Sequence, residues 1–322
     1  MKYTSLEQYQ GMGQAAAIFG MFLPDSIGQY PQINVLSADM SVAASLDRFI
    51  YSNPEQFTEI GIAEQNLVGI AAGMASEGYT PIAVAQSAFI TMRAFEMDRQ
   101  YLGYMQNPVI LVGLNSGFFL QYFGNTHYNT EDIALMRTIP NMTILSPADA
   151  GEAVVAMKAA IDCHKPVFIR LTGGSMAPTV YTEECEFEIG KNNVLHEGHD
   201  LAIYATGAMV GYALQASAIL NEKANIDAKV IDVHTIKPLD TSCIEKDKDK
   251  KLIVSIEEHS IIGGLGSAIS DFTSAESGYP AILKLGVKDC FSKPGDYAYL
   301  LEQHRLTPQF IAEDIINKLK KV

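Results

Sequence analysis

Short apolar segments and longer mixed segments alternate along most of the 322-residue chain. Mostly apolar runs predict strands that are buried on both faces; they lie at residues 33–36, 81–85, 108–114, 142–145 and 166–171. The more polar segment 57–60 is also predicted as a strand. The stretches between them are long enough for helices, which we predict at residues 62–77, 87–105, 131–138 and 148–162. Strands that alternate with helices in this way are typical of a mainly parallel sheet covered on both faces.

This pattern is interrupted after residue 171. Residues 172–198 contain adjacent glycines, a proline and an acidic run, and they show no apolar periodicity. The alternation then resumes, with predicted strands at 201–205, 228–233, 252–256 and 281–285 and helices at 208–224, 264–275 and 308–320. We therefore predict an α/β protein of two three-layer α/β/α domains, residues 1–188 with a mainly parallel sheet and a smaller domain at 189–322.

The charge and the cysteines narrow the class of protein. The chain has 23 Lys and Arg against 37 Asp and Glu, a net charge of −14, which disfavours nucleic-acid and acidic-membrane partners. The four cysteines are scattered without metal-ligand spacing, so no metal site is predicted from this chain. The N-terminal residues lack the features of a signal peptide, and no apolar run reaches the roughly 18 residues of a membrane span. We expect a cytoplasmic protein.

One carboxylate lies in an unusual setting. Glu64 falls in the first turn of the helix predicted at 62–77, where an acidic side chain is also favourable through the helix dipole, without any function. The residues that follow, 67–73, are almost wholly apolar. A carboxylate at the head of a buried helix is costly unless it is paired, and ligands bind outside the carboxyl ends of parallel strands. Glu64 is therefore a candidate functional residue.

The stretch around Glu64 resembles the pyrimidine-binding domain of thiamine-diphosphate enzymes. Transketolase, 1-deoxyxylulose-5-phosphate synthase and the β subunits of 2-oxoacid dehydrogenases share that domain. Further motifs narrow the resemblance to the C-terminal subunit of split, two-subunit transketolases; they lie at residues 87–96, 126–127, 131–137, 140–149 and 257–267. The resemblance extends from about Gly11 to the end of the chain.

The resemblance implies a thiamine diphosphate site. The family glutamate at Glu64 hydrogen-bonds N1′ of the aminopyrimidine and favours the imino tautomer, whose exocyclic nitrogen takes the proton from thiazolium C2. Phe89 matches the ring that packs against the aminopyrimidine, and Gln86, Asp39 and Ile62 match positions near the cofactor. From the sequence alone, Phe89 fits a core position and Asp39 fits a capping position equally well.

The same resemblance implies roles at the substrate. His127 matches a histidine that assists proton transfer at substrate oxygens. Arg170, at the end of the strand predicted at 166–171, matches an arginine that binds a sugar phosphate. Arg93 is a second contact to an anionic substrate group or, equally well, a partner in an ion pair on a helix face.

Three positions before His127 depart from the family pattern. Counted back from His127, the usual first histidine becomes Asn115, and the usual acidic pair becomes Tyr122 and Phe123. A phenyl ring at Phe123 cannot accept a hydrogen bond from a substrate hydroxyl, and an unpaired buried polar group costs about 1–3 kcal/mol. The resemblance implies transfer of a two-carbon ketol unit between sugar phosphates, and these departures predict that a non-standard sugar is among them.

The family motif for the diphosphate and Mg²⁺ is not found. No Gly-Asp-Gly occurs, and the glycine-rich residues 263–267 lack an acidic metal ligand, so we interpret them as a tight turn. The resemblance therefore implies a partner, an N-terminal transketolase subunit that carries the diphosphate-binding domain, in an α2β2 heterotetramer. Two alternatives stay open: the β subunit of a 2-oxoacid dehydrogenase or decarboxylase, and a non-catalytic regulatory subunit that keeps the fold.

Overall fold

The computed structural model describes residues 2–4 and 6–321. Its strands are β1 (Lys2–Thr4), β2 (Ile33–Ser37), β3 (Phe57–Glu59), β4 (Thr80–Gln86), β5 (Ile110–Ser116), β6 (Thr143–Leu145), β7 (Val167–Thr172), β8 (Glu184–Glu186), β9 (Asn193–His196), β10 (Leu201–Ala205), β11 (Ala228–Asp232), β12 (Thr235–Lys237), β13 (Ile253–Ser260) and β14 (Ile282–Val287).

Helices lie between most of these strands. They are α1 (Leu23–Ser26), α2 (Asp47–Ser52), α3 (Glu64–Ser76), α4 (Ser87–Met92), α5 (Phe95–Met97), α6 (Asp132–Arg137), α7 (Ala150–Cys163), α8 (Met209–Ala224), α9 (Thr241–Glu245), α10 (Leu265–Thr273), α11 (Tyr297–Gln303) and α12 (Pro308–Leu319). Two π-helical segments, Ala16–Phe22 and Asp98–Tyr104, precede α1 and follow α5.

The strands form two main sheets, which confirm the predicted α/β class. A seven-stranded sheet has the order β12-β6-β7-β5-β4-β2-β3, and a five-stranded sheet has the order β14-β13-β10-β11-β9. In each sheet one edge strand, β12 or β9, is antiparallel and the other strands are parallel. Strands β1 and β8 form a separate antiparallel pair.

Side chains that alternate along the parallel strands build two hydrophobic layers, one on each face of the sheet. Val35 and Val84 belong to one buried cluster, whereas their neighbours Leu36 and Ala83 belong to the other. Because successive side chains of a strand point to opposite faces, a strand covered by helices on both sides needs apolar residues at nearly every position. This explains why continuous apolar runs predicted these strands.

The long helix predicted at residues 87–105 is interrupted. The chain forms α4, then the short α5, and then the π-helical segment Asp98–Tyr104. Ala94, between the first two, has φ −94° and ψ 5°, outside the helical region. The short helices near the N-terminus and the strands β8, β9 and β12 were not predicted either, because three or four residues carry too little periodicity.

Strand β12 connects the two halves of the protein. It follows the boundary predicted at residues 188/189, yet it pairs antiparallel with β6 at the edge of the seven-stranded sheet. Ser146 N, just after β6, also donates a hydrogen bond of 2.8 Å to the carbonyl of His234. The first sheet is therefore completed by a strand from the second half of the sequence, and the exact boundary stays a prediction.

Asp98, at the start of the second π-helical segment, is a buried carboxyl group. It is inaccessible to solvent, and neither carboxyl oxygen has a hydrogen-bond partner among the described residues. Burial disfavours the charged form and raises the pKa of Asp98 well above its usual value. The folded protein therefore keeps this proton at a pH at which the unfolded chain has lost it.

We expect the stability of the wild type to fall as pH rises because of Asp98. An unfolded Asp ionises near pH 3.9, so above that pH the native state binds more protons, until its own raised pKa is reached. Asp98→Asn cannot ionise at position 98, so it does not lose stability in this way. For each unit by which the pKa of Asp98 is raised, the variant gains about 1.4 kcal/mol in free energy of unfolding relative to the wild type at alkaline pH. Urea unfolding at pH 5 and pH 8 measures this difference. An identical pH dependence in wild type and Asp98→Asn would contradict it, and Asp249→Asn, at an exposed position, is the control.

Candidate active site

The carboxyl ends of β4 and β5 and the first turn of α3 lie at one edge of the seven-stranded sheet. Helix α3 begins at Glu64 because Gly61 has φ +77°, a backbone conformation that favours glycine, and turns the chain from β3 into the helix. Helix α4 follows directly from β4 and carries Phe89 and Arg93 at its end. Residues from four separate segments therefore meet at this edge, as expected for ligand sites in parallel sheets.

Glu64 is buried and paired with an arginine. Its side chain is 2 % exposed, and its Oε2 accepts a hydrogen bond of 2.6 Å from Nη1 of Arg93. The Arg93 side chain is 47 % exposed, so this ion pair closes the buried carboxylate toward solvent. Arg93 was predicted as a contact to an anion or as a partner in an ion pair on a helix face; in the structure it follows α4 and pairs with Glu64 of α3, so the pair joins two helices.

Aromatic rings continue the site beyond Arg93. The guanidinium carbon of Arg93 lies 4.4 Å from the centroid of the half-buried Phe89 ring. The Phe89 ring contacts the His127 ring in an edge-on arrangement with centroids 5.4 Å apart. Phe123 packs on the other side of His127, 5.2 Å between centroids. The His127 imidazole thus lies between two phenyl rings.

The loop that carries His127 is fixed by backbone and side-chain hydrogen bonds. Gly124, with φ +78°, allows a turn in which His127 N donates to the Gly124 carbonyl over 2.9 Å. Gln86 Nε2 donates to the His127 carbonyl at 3.3 Å and accepts, through Oε1, a 2.9 Å hydrogen bond from Asn115 Nδ2. His127 Nδ1 lies 2.9 Å from Thr126 Oγ1. These contacts hold the imidazole in place relative to β4 and β5.

Seven of the ten predicted site residues therefore lie in one connected group. We refer to it as the Glu64 cluster; its members are Glu64, Gln86, Phe89, Arg93, Asn115, Phe123 and His127.

A buried polar network supports the Glu64 cluster from below. The Ser87 hydroxyl, in the first turn of α4, accepts hydrogen bonds of 2.8 Å from Ser116 Oγ and from Asn129 Nδ2 and donates to Asp132 Oδ2 over 3.2 Å. Asn129 Nδ2 also donates to Thr91 Oγ1, one turn further along α4. Because buried polar groups are fixed by their partners, this network sets the position of the helix that carries Phe89 and Arg93. Small hydroxyl residues give no such signal in a sequence.

Arg170 does not belong to the Glu64 cluster, and its prediction as a phosphate ligand is corrected. Its side chain is fully buried, and Nε donates to both carboxyl oxygens of Asp132 at 2.8 and 2.9 Å. Its Nη2 donates to the carbonyl of Glu258 at 2.8 Å. The guanidinium is thus enclosed by protein groups, and a phosphate would have to displace Asp132 to reach it. Arg170 joins β7 to α6 and to β13.

The side chains around Arg170 on β13 are also buried, and burial shifts their pKa values. Burial raises the pKa of Glu258 to about 7, although its carboxyl accepts hydrogen bonds from Phe118 N at 2.5 Å and Tyr297 Oη at 2.8 Å. Burial lowers the pKa of His259 to about 4, and its Nε2 accepts a 3.3 Å hydrogen bond from Ala134 N. We refer to Asp132, Arg170, Glu258 and His259 as the interdomain network, because it joins the two sheets.

Asp39 and Ile62 lie outside the Glu64 cluster. Asp39 is exposed, with φ +56°, and its backbone N–H donates to Glu59 Oε1 at 2.7 Å. The same oxygen accepts from Gly61 N at 2.9 Å, so Glu59, which the sequence did not single out, joins the two loops beside α3. Ile62 is 71 % exposed. No hydrogen bond, ion pair or ring contact among the described residues links either Asp39 or Ile62 to the cluster, and their roles stay predictions.

The Glu64 cluster fits an aminopyrimidine ring. A buried carboxylate accepts a hydrogen bond on one side, and a half-buried phenyl ring beside it offers a face for stacking. Both groups are covered by the half-exposed Arg93 side chain, so they can be reached from solvent when that side chain turns away. Glu64 would hold a ring N–H group, and Phe89 would hold the aromatic plane of the same ring.

The glycine-rich residues 263–267 do not form an anion site. Oε2 and Oε1 of Glu257 accept hydrogen bonds from Leu265 N at 2.6 Å and Gly266 N at 2.9 Å, at the start of α10. A Cβ at Gly264 would lie 2.0 Å from Glu257 Oε2, so glycine is required for this close approach. This confirms the interpretation as a tight turn. Among the described residues, no group of three or more His, Cys, Asp or Glu is arranged to hold a metal ion.

Comparisons with known proteins show the family to which both halves of the chain are similar. Residues 14–177 match the family model described as the transketolase pyrimidine-binding domain, and residues 190–311 match the transketolase C-terminal domain. The chain is 36 % identical to a putative transketolase C-terminal section of Methanocaldococcus jannaschii, over 97 % of this chain and 98 % of that protein. It is also 36 % identical to a 6-deoxy-6-sulfo-D-fructose transketolase subunit of Clostridium sp. strain MSTE9, over 87 % of this chain and 86 % of that protein.

A solved structure gives the same result. The protein described as a split gene transketolase, inactive beta4 tetramer, has a TM-score of 0.88 and 35 % identity, and the match covers 96 % of this chain and 99 % of that chain. In the part of this chain that the structure describes, no helix combines the length and the apolar character needed to cross a membrane.

Proposed function

Because the chain belongs to the transketolase family of thiamine-diphosphate enzymes, we propose that it is the C-terminal-type subunit of a two-subunit transketolase. The proposed reaction moves a two-carbon ketol unit from a ketose donor to an aldehyde acceptor. The observation that carries this proposal is the buried carboxylate of Glu64 beside the Phe89 ring at the carboxyl edge of the parallel sheet.

Each member of the Glu64 cluster has a role that follows from its position. Glu64 would accept the hydrogen bond of the pyrimidine N1′, and its burial keeps water away from that proton. Phe89 would support the pyrimidine ring. Gln86 and Asn115 would hold the His127 loop next to the site. When bound, thiamine diphosphate supplies the carbon nucleophile for the transfer. His127, between two phenyl rings, would donate or accept a proton at a substrate oxygen.

A partner subunit would supply the diphosphate and Mg²⁺ site. The sequence has no Gly-Asp-Gly motif, and the Clostridium relative is itself described as a subunit. Helix α3 presents an exposed face that contains Ile70 and Gly73, and the exposed Ile62 lies just before the helix. An exposed apolar and glycine-bearing face beside the site supports contact with another chain at this point, in the proposed α2β2 assembly.

The proposed substrate is a modified sugar. A cavity of about 160 Å³ lies next to the Glu64 cluster, which it shares through Asn115, and is lined further by Ser45, Phe119, Thr172 and Ser175 among others. None of the described residues that line it carries a charge. A phosphate or sulfonate on the substrate would therefore need a cation from outside this cavity. The 6-deoxy-6-sulfo-D-fructose transketolase subunit is a relative whose name specifies a modified sugar.

Phe123→Asp is expected to shift the preference toward ordinary ketose donors. The phenyl ring is 65 % exposed beside His127, and a carboxylate there could accept a hydrogen bond from a donor hydroxyl. A gain of about 1.5 kcal/mol for one hydrogen bond to a carboxylate corresponds to a roughly tenfold rise in kcat/KM for D-xylulose 5-phosphate relative to wild type. Tyr122→Asp, which adds the same charge one residue away, is the control. Equal effects of both variants would argue against a specific contact at Phe123.

Reconstitution with the diphosphate-binding subunit of the same genome tests the proposed function. The complex, with thiamine diphosphate and Mg²⁺, is assayed for ketol transfer with a panel of phosphorylated, deoxy and sulfonated ketoses. Cofactor-dependent transfer is expected, and none is expected from either subunit alone. A complex that binds the cofactor and instead decarboxylates 2-oxoacids would contradict the proposal.

A further inference from the structure

Arg93 makes both of the contacts that define the proposed pyrimidine position. Its Nη1 donates to Glu64 Oε2 at 2.6 Å, and its guanidinium carbon lies 4.4 Å from the centroid of the Phe89 ring. A guanidinium group is planar, carries N–H donors in that plane and stacks on aromatic faces. These are also the properties by which an aminopyrimidine would be held between a carboxylate and a phenyl ring.

Two planar groups cannot make these contacts at the same time. Oε2 of Glu64 is engaged by Arg93, and the face of the Phe89 ring next to it is covered by the same side chain. We propose that Arg93 is an internal competitor of the cofactor, which must leave Glu64 and Phe89 before the pyrimidine ring can bind. This inference rests on the proposed function, because it concerns the same site.

The backbone around Arg93 is held, while its side chain is free to turn outward. Arg93 N donates to the Phe89 carbonyl at 2.9 Å, and Gln65 Nε2 donates to the Arg93 carbonyl at 3.1 Å, which joins α3 to the end of α4. The side chain beyond them is 47 % exposed. Exchange with the cofactor therefore requires a rotation of one side chain, without movement of the helices.

The pairing also has a structural reason. A carboxylate that is 2 % exposed and has no cationic partner is strongly unfavourable. Arg93 satisfies that charge until another donor replaces it, so the competitor protects the fold while it opposes cofactor binding. The partly exposed guanidinium makes this opposition modest, since ion pairs open to solvent are weak.

The experiment compares cofactor affinity in the assembled two-subunit enzyme. Isothermal titration with thiamine diphosphate and Mg²⁺ is carried out on wild type, Arg93→Met and Arg99→Met. Methionine keeps an unbranched apolar side chain at position 93 and removes every donor. We expect about fivefold tighter binding by Arg93→Met, and unchanged binding by Arg99→Met, since Arg99 is exposed on the adjacent segment. Equal or weaker binding by Arg93→Met would overturn the inference while the proposed function stands.

A second measurement covers the case in which Arg93→Met fails to fold. The ¹⁵Nε–¹H signal of Arg93 in the wild-type complex, assigned with Arg93→Lys, is followed during the titration. We expect the Arg93 signal to shift until the site is saturated with cofactor, and the Arg99 signal to keep its position. An Arg93 signal that stays unchanged while the cofactor binds would overturn the competition. If the wild-type complex binds no thiamine diphosphate at all, the proposed function and this inference both fail.

Discussion

Replacing Glu64 with glutamine is expected to reduce ketol transfer by the assembled enzyme about 10²- to 10⁴-fold or more. The amide keeps the shape of the side chain and can still accept a hydrogen bond from Arg93, so the fold around α3 should persist. It cannot share a proton with N1′ in the way a carboxylate can. The turnover number, measured at saturating cofactor, reports this loss directly.

A control separates this effect from a general loss of acidic charge on α3. Glu77→Gln changes the same residue type at the exposed end of the same helix and should leave turnover unchanged. Near-normal activity of Glu64→Gln, with normal cofactor binding, would remove Glu64 from the mechanism.

Arg170→Met should destabilise the protein by about 3–5 kcal/mol, because it leaves the buried carboxylate of Asp132 without its cationic partner. Urea unfolding at neutral pH measures the loss. By comparison, Arg48→Met breaks an exposed ion pair with Asp25 and should cost less than about 1 kcal/mol.

The same variant distinguishes two roles for Arg170. If the side chain bound a substrate phosphate, Arg170→Met would keep its stability and raise KM for phosphorylated substrates over non-phosphorylated ones. The double variant Arg170→Met with Asp132→Leu removes both charges and should recover part of the lost stability. A stable Arg170→Met protein would contradict the role assigned here to the interdomain network.

The sheets could be predicted because burial on both faces forces apolar runs such as those of β5 and β10, in which nearly every residue is buried. The π-helical segment Asp98–Tyr104 could not, because its spacing differs little from that of an α-helix over seven residues. The short strand β12 has no residue pattern in the sequence that predicts a strand. Its place in the sheet comes from the fold of the rest of the chain.

The candidate site shows the same limits. Glu64 could be singled out because a carboxylate precedes an apolar helix, and the structure does bury it. Arg170 was wrongly predicted to bind phosphate because the sequence does not show that β7 lies inside the sheet, between β6 and β5, or that the buried Asp132 pairs with this arginine. Glu59, Ser87 and Asn129 were missed, since their contacts join segments far apart in sequence.

Strand β12 also bears on how such a gene can be divided during evolution. A cut in the gene near residue 188 would give two reading frames, each of ordinary domain size. The upstream product would then lack β12, the strand that covers β6 at the edge of its sheet. An uncovered rim offers free N–H and C=O groups to other chains and promotes aggregation. Recombination that exchanges the two halves between relatives would have to preserve this one crossing strand, so the halves are expected to be inherited together.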